Sequence, residues 1–293
     1  MAEAHAARGA ARSSAIRRVF LGLLVANVLV LAIKVAIGVR AGSLSVLGDA
    51  LHASVDALNN VVFMMLTAFA ARGPDDEHPY GHGKFEVVGA LGIVIFLSVA
   101  CFELLKSAVD RLVRGSGTPE LTRSDILLLV VSLVANVWVA WYEARRGRAL
   151  ESPLLLADSA HTKGDVLITA GVIAGAMLVR AGYPVADPLV ALIVVGLVAR
   201  IGYQIIRSAL PILVDERARS PDAIRAAAEA VSGVESAYAI RSRKSAGAVF
   251  AELTIGVAGS LAVARAHEIA DAVEERLRNE LNLDQVVVHI EPC

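Results

Sequence analysis

The chain is poor in several things that would define a soluble enzyme or a nucleic-acid-binding protein. It has two cysteines in 293 residues, Cys101 in an apolar run and Cys293 at the end. Neither a disulfide framework nor a cysteine-cluster metal site can be built from them. Aromatic residues make up 5%, and the formal net charge is −1, so no basic surface points to nucleic acid. No HExxH stretch is present, which removes the commonest helical zinc-hydrolase signature. The abundant material is apolar: 56% of residues are hydrophobic and the mean hydropathy is +0.61. That places the chain among membrane proteins.

Six apolar runs are long enough to cross a bilayer, roughly 18–40, 45–72, 86–113, 122–145, 153–181 and 185–208. Polar or helix-breaking segments separate them, among them GPDDEHPYGHGK, RGSGTPELTRSD and RRGRALESP. The first run is too long for a signal peptide and no cleavage site follows it, so it reads as a retained span. An even number of spans leaves both termini on one side. Arg8, Arg12, Arg17 and Arg18 precede the first span, and Arg145, Arg146 and Arg148 follow the fourth. The opposite loops carry fewer, Arg40, then Arg111, Arg114 and Arg123, then Arg180. The positive-inside rule therefore predicts cytoplasmic termini. The expected divisions are an N-terminal tail at 1–17, a six-span region at 18–210 and a soluble domain at 211–293. The last reads helix, strand, strand, helix, strand, an α+β pattern of about 80 residues that is marginal alone and would gain from dimerising.

Ionisable side chains inside two spans break the apolar pattern. GDALHASVDA at 48–57 and ADSAHTKGDV at 157–166 both read D-x-x-H-x-x-x-D. His52 with Asp56, and His161 with Asp165, are four apart, so each pair shares a helix face. If the second and fifth spans pack together, two imidazoles and two carboxylates converge. That nitrogen–oxygen set suits tetrahedral zinc better than calcium or magnesium. The bland alternative is hydrogen bonding between helices, which two matched motifs in separate spans make a poor explanation. Asp49 and Asp158 lie one turn before each histidine and are candidates for orienting them. In the loop after the second span, Asp75, His78 and His82 are spaced i, i+3, i+7 among glycines and prolines, a turn able to fold around a cation.

Six spans, paired H-x-x-x-D, a loop ending PYGHGK-x-E and an α-β-β-α-β tail resemble a cation diffusion facilitator, over about residues 18–293. The resemblance implies six transmembrane helices with a ferredoxin-like cytoplasmic domain. It also implies a homodimer in the cell (inner) membrane that exports divalent transition metal from the cytoplasm in exchange for protons. It places the transport ligands on His52, Asp56, His161 and Asp165, and a loop site on Asp75, His78 and His82. It puts a cytoplasmic metal site on Glu252, His267, His289 and Glu291. There Tyr238 and Glu252 stand where relatives with a binuclear site carry histidines. It further implies a Lys84–Asp215 charge interlock. The histidine-containing tetrad resembles the zinc-preferring branch, with Cd2+, Co2+ and Fe2+ as alternatives to Zn2+. Of seven histidines only His5 falls outside a family metal position. Rival readings are a membrane-anchored metal sensor and an intramembrane metalloenzyme. The enzyme would need an open ligand position that a filled tetrad does not leave.

Overall fold

The computed structural model describes residues 2–41, 44–114, 123–183, 185–245 and 248–293, and within α2 the side chains of Asp49 and His52 are outside the described set. Six long helices come first: α1 (Ala2–Ala41), α2 (Leu44–Ala70), α3 (Lys84–Arg114), α4 (Arg123–Ala149), α5 (Pro153–Arg180) and α6 (Ala186–Leu213). Then follow α7 (Pro221–Glu229), β1 (Ser236–Ser245), β2 (Ala248–Val257), α8 (Val263–Leu281) and β3 (Gln285–Pro292). The chain is thus an α-helical membrane protein with a C-terminal α+β domain. Among the described residues, segments of α1, α3, α5 and α6 are long and apolar enough to span a bilayer, and α2 adds a shorter apolar stretch, Asp56–Ala70.

The long-helix unit, Ala6–Ala209, has its own core. Phe20 of α1, Phe63 of α2, Ile93 of α3, Leu154 of α5 and Val198 of α6 meet in it. The same helices expose Val25, Ile33, Met65, Ile95 and Ile193 on their outer faces. Apolar residues on both sides are what a lipid-facing bundle requires. The arginine-rich stretch expected as a tail is helical, since α1 starts at Ala2.

The C-terminal unit contains Leu210–Cys293. Its sheet has the order β1-β2-β3, with β2 antiparallel to β1 and parallel to β3. Alternation along β2 sends Val249, Ala251, Leu253 and Ile255 into a core with α7 and α8. Phe250, Glu252 and Thr254 therefore lie on the other face. Between Tyr238 and Arg241 the ladder slips by one residue, and Ala239 there has φ +52°. This is a bulge, which locally re-aims the strand.

Candidate metal centres

The residues expected to form the transport site lie on two helices. Ser152 caps α5, its hydroxyl accepting from Leu155 N at 3.2 Å, and Pro153 occupies the first turn, where it lacks nothing by having no N–H. One to three turns on, α5 carries Asp158, His161 and Asp165. His161 Nε2 lies 3.8 Å from Asp165 Oδ2, too far for a hydrogen bond. His161 Nδ1 is buried with no hydrogen-bond partner among the described residues. From α2, Asp56 comes within electrostatic range of Asp158. His52 shares α2 with Asp56, but its side chain, like that of Asp49, is outside the described residues.

Asp158 does not orient His161 by a hydrogen bond to Nδ1, since that atom has no partner among the described residues. Its carboxyl is instead hydrogen-bonded to Glu143 of α4. Glu143 is 3% exposed and also accepts from Thr162 Oγ1 at 3.0 Å. Sequence reading passed over Glu143 because it sits just ahead of Arg145 and Arg146 and looks like part of that charged flank. The usable signal was a lone acid within an apolar run.

The loop residues converge. One ligand atom from each of Asp75, His78 and His82 lies within 4.8 Å of the others. The turn is built by Gly81, at φ +78°, whose N–H donates to His78 O at 2.8 Å. His82 is buried, with its ring against Phe69, and its Nδ1 is 3.2 Å from Gly73 O. A proton on that nitrogen leaves Nε2, 3.3 Å from Asp75 Oδ2, with its lone pair free for a cation. The His78 backbone N–H, 2.6 Å from Asp75 Oδ1, holds the Asp75 carboxyl below the usual aspartate range. The two histidines add to that shift, and partial desolvation opposes it.

The cytoplasmic set does not gather within one chain. His289 pairs with Thr254, so it shares the face of Glu252 opposite the helices, and its Nε2 is 3.5 Å from Glu291 Oε1. Glu252 is aligned with Val287 and Glu291 with Gly256, which puts the two carboxylates on either side of the His289 row. His267 is on α8, across the sheet, 3.8 Å from Asp271. Tyr238 donates its hydroxyl to Glu291, and that bond raises the phenol pKa. Asp215, expected to pair with Lys84, has φ +54° and lies 3.6 Å from Arg243 Nη1. Lys84 is the first residue of α3.

Arg12, counted in the sequence only as an orienting charge, is inside the bundle. It donates to Leu150 O at 2.7 Å, Glu151 O at 2.9 Å and Glu86 Oε2 at 3.0 Å. Glu86 is 1% exposed and also accepts from the Ser152 hydroxyl. One carboxylate thus ties α1, α3 and the cap of α5.

Residues 20–214 match the family model described as the cation efflux transmembrane domain, and 218–293 match the cation efflux protein cytoplasmic domain. An uncharacterized transporter of Methanocaldococcus jannaschii is 26% identical, over 92% of this chain and 95% of its own. The manganese efflux system protein MneP of Bacillus subtilis is 24% identical, over 94% and 96%. The cation-efflux pump FieF of Cronobacter sakazakii is 28% identical, over 90% and 89%. A solved fragment named MamM-CTD 215-293 is 30% identical, covers 25% of this chain and 92% of the fragment, and aligns at a TM-score of 0.24. With both family models matched along nearly its whole length, the chain belongs to the cation efflux, or cation diffusion facilitator, family of membrane transporters, which are not enzymes.

Proposed function

We propose that this transporter exports a divalent transition metal, with Zn2+ preferred, from the cytoplasm in exchange for protons. The observation that carries the reading is the His161–Asp165 pair, with an imidazole nitrogen buried in a span and unpartnered among the described residues. An unsatisfied buried donor or acceptor costs ~1–3 kcal/mol, a penalty a passing cation or proton relieves. Nitrogen ligands favour zinc over the harder manganese named for the Bacillus subtilis relative. His52 and Asp56 complete the tetrad. Metal binding needs neutral imidazoles and ionised carboxylates, so each cation bound displaces protons, and protons on the far side displace the cation.

The protein works as a homodimer in the cell (inner) membrane, both termini cytoplasmic. The matched cytoplasmic-domain model supports this. So does the position of His267, which needs a second copy to reach a His289–Glu291 site. Cytoplasmic cation bound there, and at Asp75, His78 and His82, regulates or delivers rather than crosses. The deciding experiment is flux into proteoliposomes under an imposed pH gradient, with zinc, cadmium, cobalt, iron and manganese compared. Zinc-driven proton movement that Asp56→Ala and Asp165→Ala each abolish is the expected result. Zinc binding without flux would identify a membrane-anchored sensor instead.

A further inference from the structure

We propose that Glu143 is a positioning residue for the cation site: from α4 it sets the rotation of α5 and so the direction of the His161 ring. The inference rests on reading His161 and Asp165 as cation ligands. Among the described residues, His161 is not oriented by its own hydrogen bonds: Nδ1 has no partner there, and Nε2 is 3.8 Å from Asp165. Its direction therefore follows the helix that carries it.

Three polar groups of α5 that flank His161 reach α4. Ser159, two residues before, donates its hydroxyl to Ala140 O at 2.9 Å. Thr162, one residue after, donates to Glu143 Oε2 at 3.0 Å and also to Asp158 O at 3.2 Å. Asp158, one turn before, is hydrogen-bonded to the Glu143 carboxyl. Ala140 and Glu143 are three apart and share one face of α4. Further along that face the helices are too close for slack, since a Cβ on Gly147 would meet Leu156 N at 3.1 Å. Glu143 thus takes up two of the groups beside the histidine.

The lever is long enough to matter. An imidazole carried ~6 Å from a helix axis moves about 2 Å when the helix turns by ~20°, as far as a whole zinc–nitrogen bond. A carboxylate in a span is costly, and holding α5 against that turn is a reason for one at position 143.

The test is zinc flux in proteoliposomes containing the full chain, with apparent KM, maximal rate per inserted protein and zinc-to-manganese ratio measured together. Thr162→Val raises the zinc KM about tenfold, the loss of one hydrogen bond to a charged group, and Glu143→Leu, which loses two, raises it at least as much. Both lower the zinc-to-manganese ratio, because the displaced ligand is the nitrogen. Glu143→Gln and Thr162→Ser, which keep an acceptor and a hydroxyl, recover most of the affinity. The double variant Glu143→Leu/Thr162→Val is no worse than the poorer single one. If Glu143→Leu does not insert, Thr162→Val against Thr162→Ser carries the same comparison. An unchanged KM with only the maximal rate reduced, or Glu143→Gln as impaired as Glu143→Leu, overturns the inference. Asp165→Asn runs alongside. If it abolishes flux while Glu143→Leu keeps its KM, the positioning role falls and the ligand reading stands. If Asp165→Asn transports normally, both fall.

Discussion

The Arg12–Glu86 contact is the interaction whose energy can be worked out most directly. Glu86 is 1% exposed and takes two donors, Arg12 Nη2 at 3.0 Å and the Ser152 hydroxyl. An exposed ion pair would be worth ~0–1 kcal/mol. A buried carboxylate with charge-assisted partners is different, since each such bond contributes about 1.5–3 kcal/mol. Replacing Glu86 with Gln keeps an acceptor for Ser152 but removes the charge facing Arg12. Arg12 keeps its bonds to Leu150 O and Glu151 O, so it is not left bare and the cost stays near the lower bound. The expected coupling in a double-mutant cycle of Arg12→Met and Glu86→Gln is therefore about 1.5 kcal/mol. Reversible unfolding in mixed detergent–lipid micelles, followed by tryptophan fluorescence, gives the four stabilities needed. A coupling below ~0.5 kcal/mol would mean that the guanidinium and carboxylate do not act together, and that α1 is held by its apolar face alone.

Other outcomes follow from the same geometry. His52→Asp replaces nitrogen by oxygen and should lower the zinc-to-manganese transport ratio, and an unchanged ratio would take position 52 out of the ligand set. Because His78 N–H depresses the Asp75 pKa, the carboxylate stabilises the loop turn above the ordinary aspartate range and loses that role as pH falls through its lowered value. Followed at its own carboxyl carbon, Asp75 should then protonate only below the ordinary aspartate value of ~3.9, and a midpoint above that value would contradict it. Tyr238→Phe removes the donor that occupies Glu291 and should tighten zinc binding to the cytoplasmic domain about fivefold, given ~1 kcal/mol for one exposed bond. Weaker binding in calorimetry would instead make the phenol a ligand. Ile255→Ala, at a fully buried core position, should cost about 2–5 kcal/mol in urea unfolding of the domain, and a loss under ~1 kcal/mol would show the core collapsing onto the gap.

The helical spans and the α-β-β-α-β order could be read in the sequence because apolar length and periodicity are local properties. The face shared by His161 and Asp165 was legible for the same reason, since four residues make one turn. Glu143 was not, because its meaning depends on which face α4 turns to α5, a rotation that no single-helix pattern encodes. Arg12 was counted as a topological charge, while its partners Glu86 and Leu150 lie far along the chain. The cytoplasmic histidines matched a motif, yet motif matching does not say on which side of a sheet a residue ends. The crossover of α8 over one face of the sheet decides that, and it separates His267 from His289.

The parallel pairing of β3 with β2 has a consequence for the order of events during synthesis. A hairpin such as β1–β2 can form as soon as both strands have left the ribosome, but a parallel neighbour must wait for its crossover helix. Until residues 285–292 emerge, β2 keeps one edge open, with its unpaired backbone groups beside Leu253 and Ile255. The spans, made first, will already be in the lipid by then. For that interval the nascent transporter is an inserted bundle trailing an unfinished sheet that can capture a foreign strand. The strand that closes this edge is also the one that delivers His289 and Glu291, so a chain interrupted there would lack both its protection against aggregation and those two side chains.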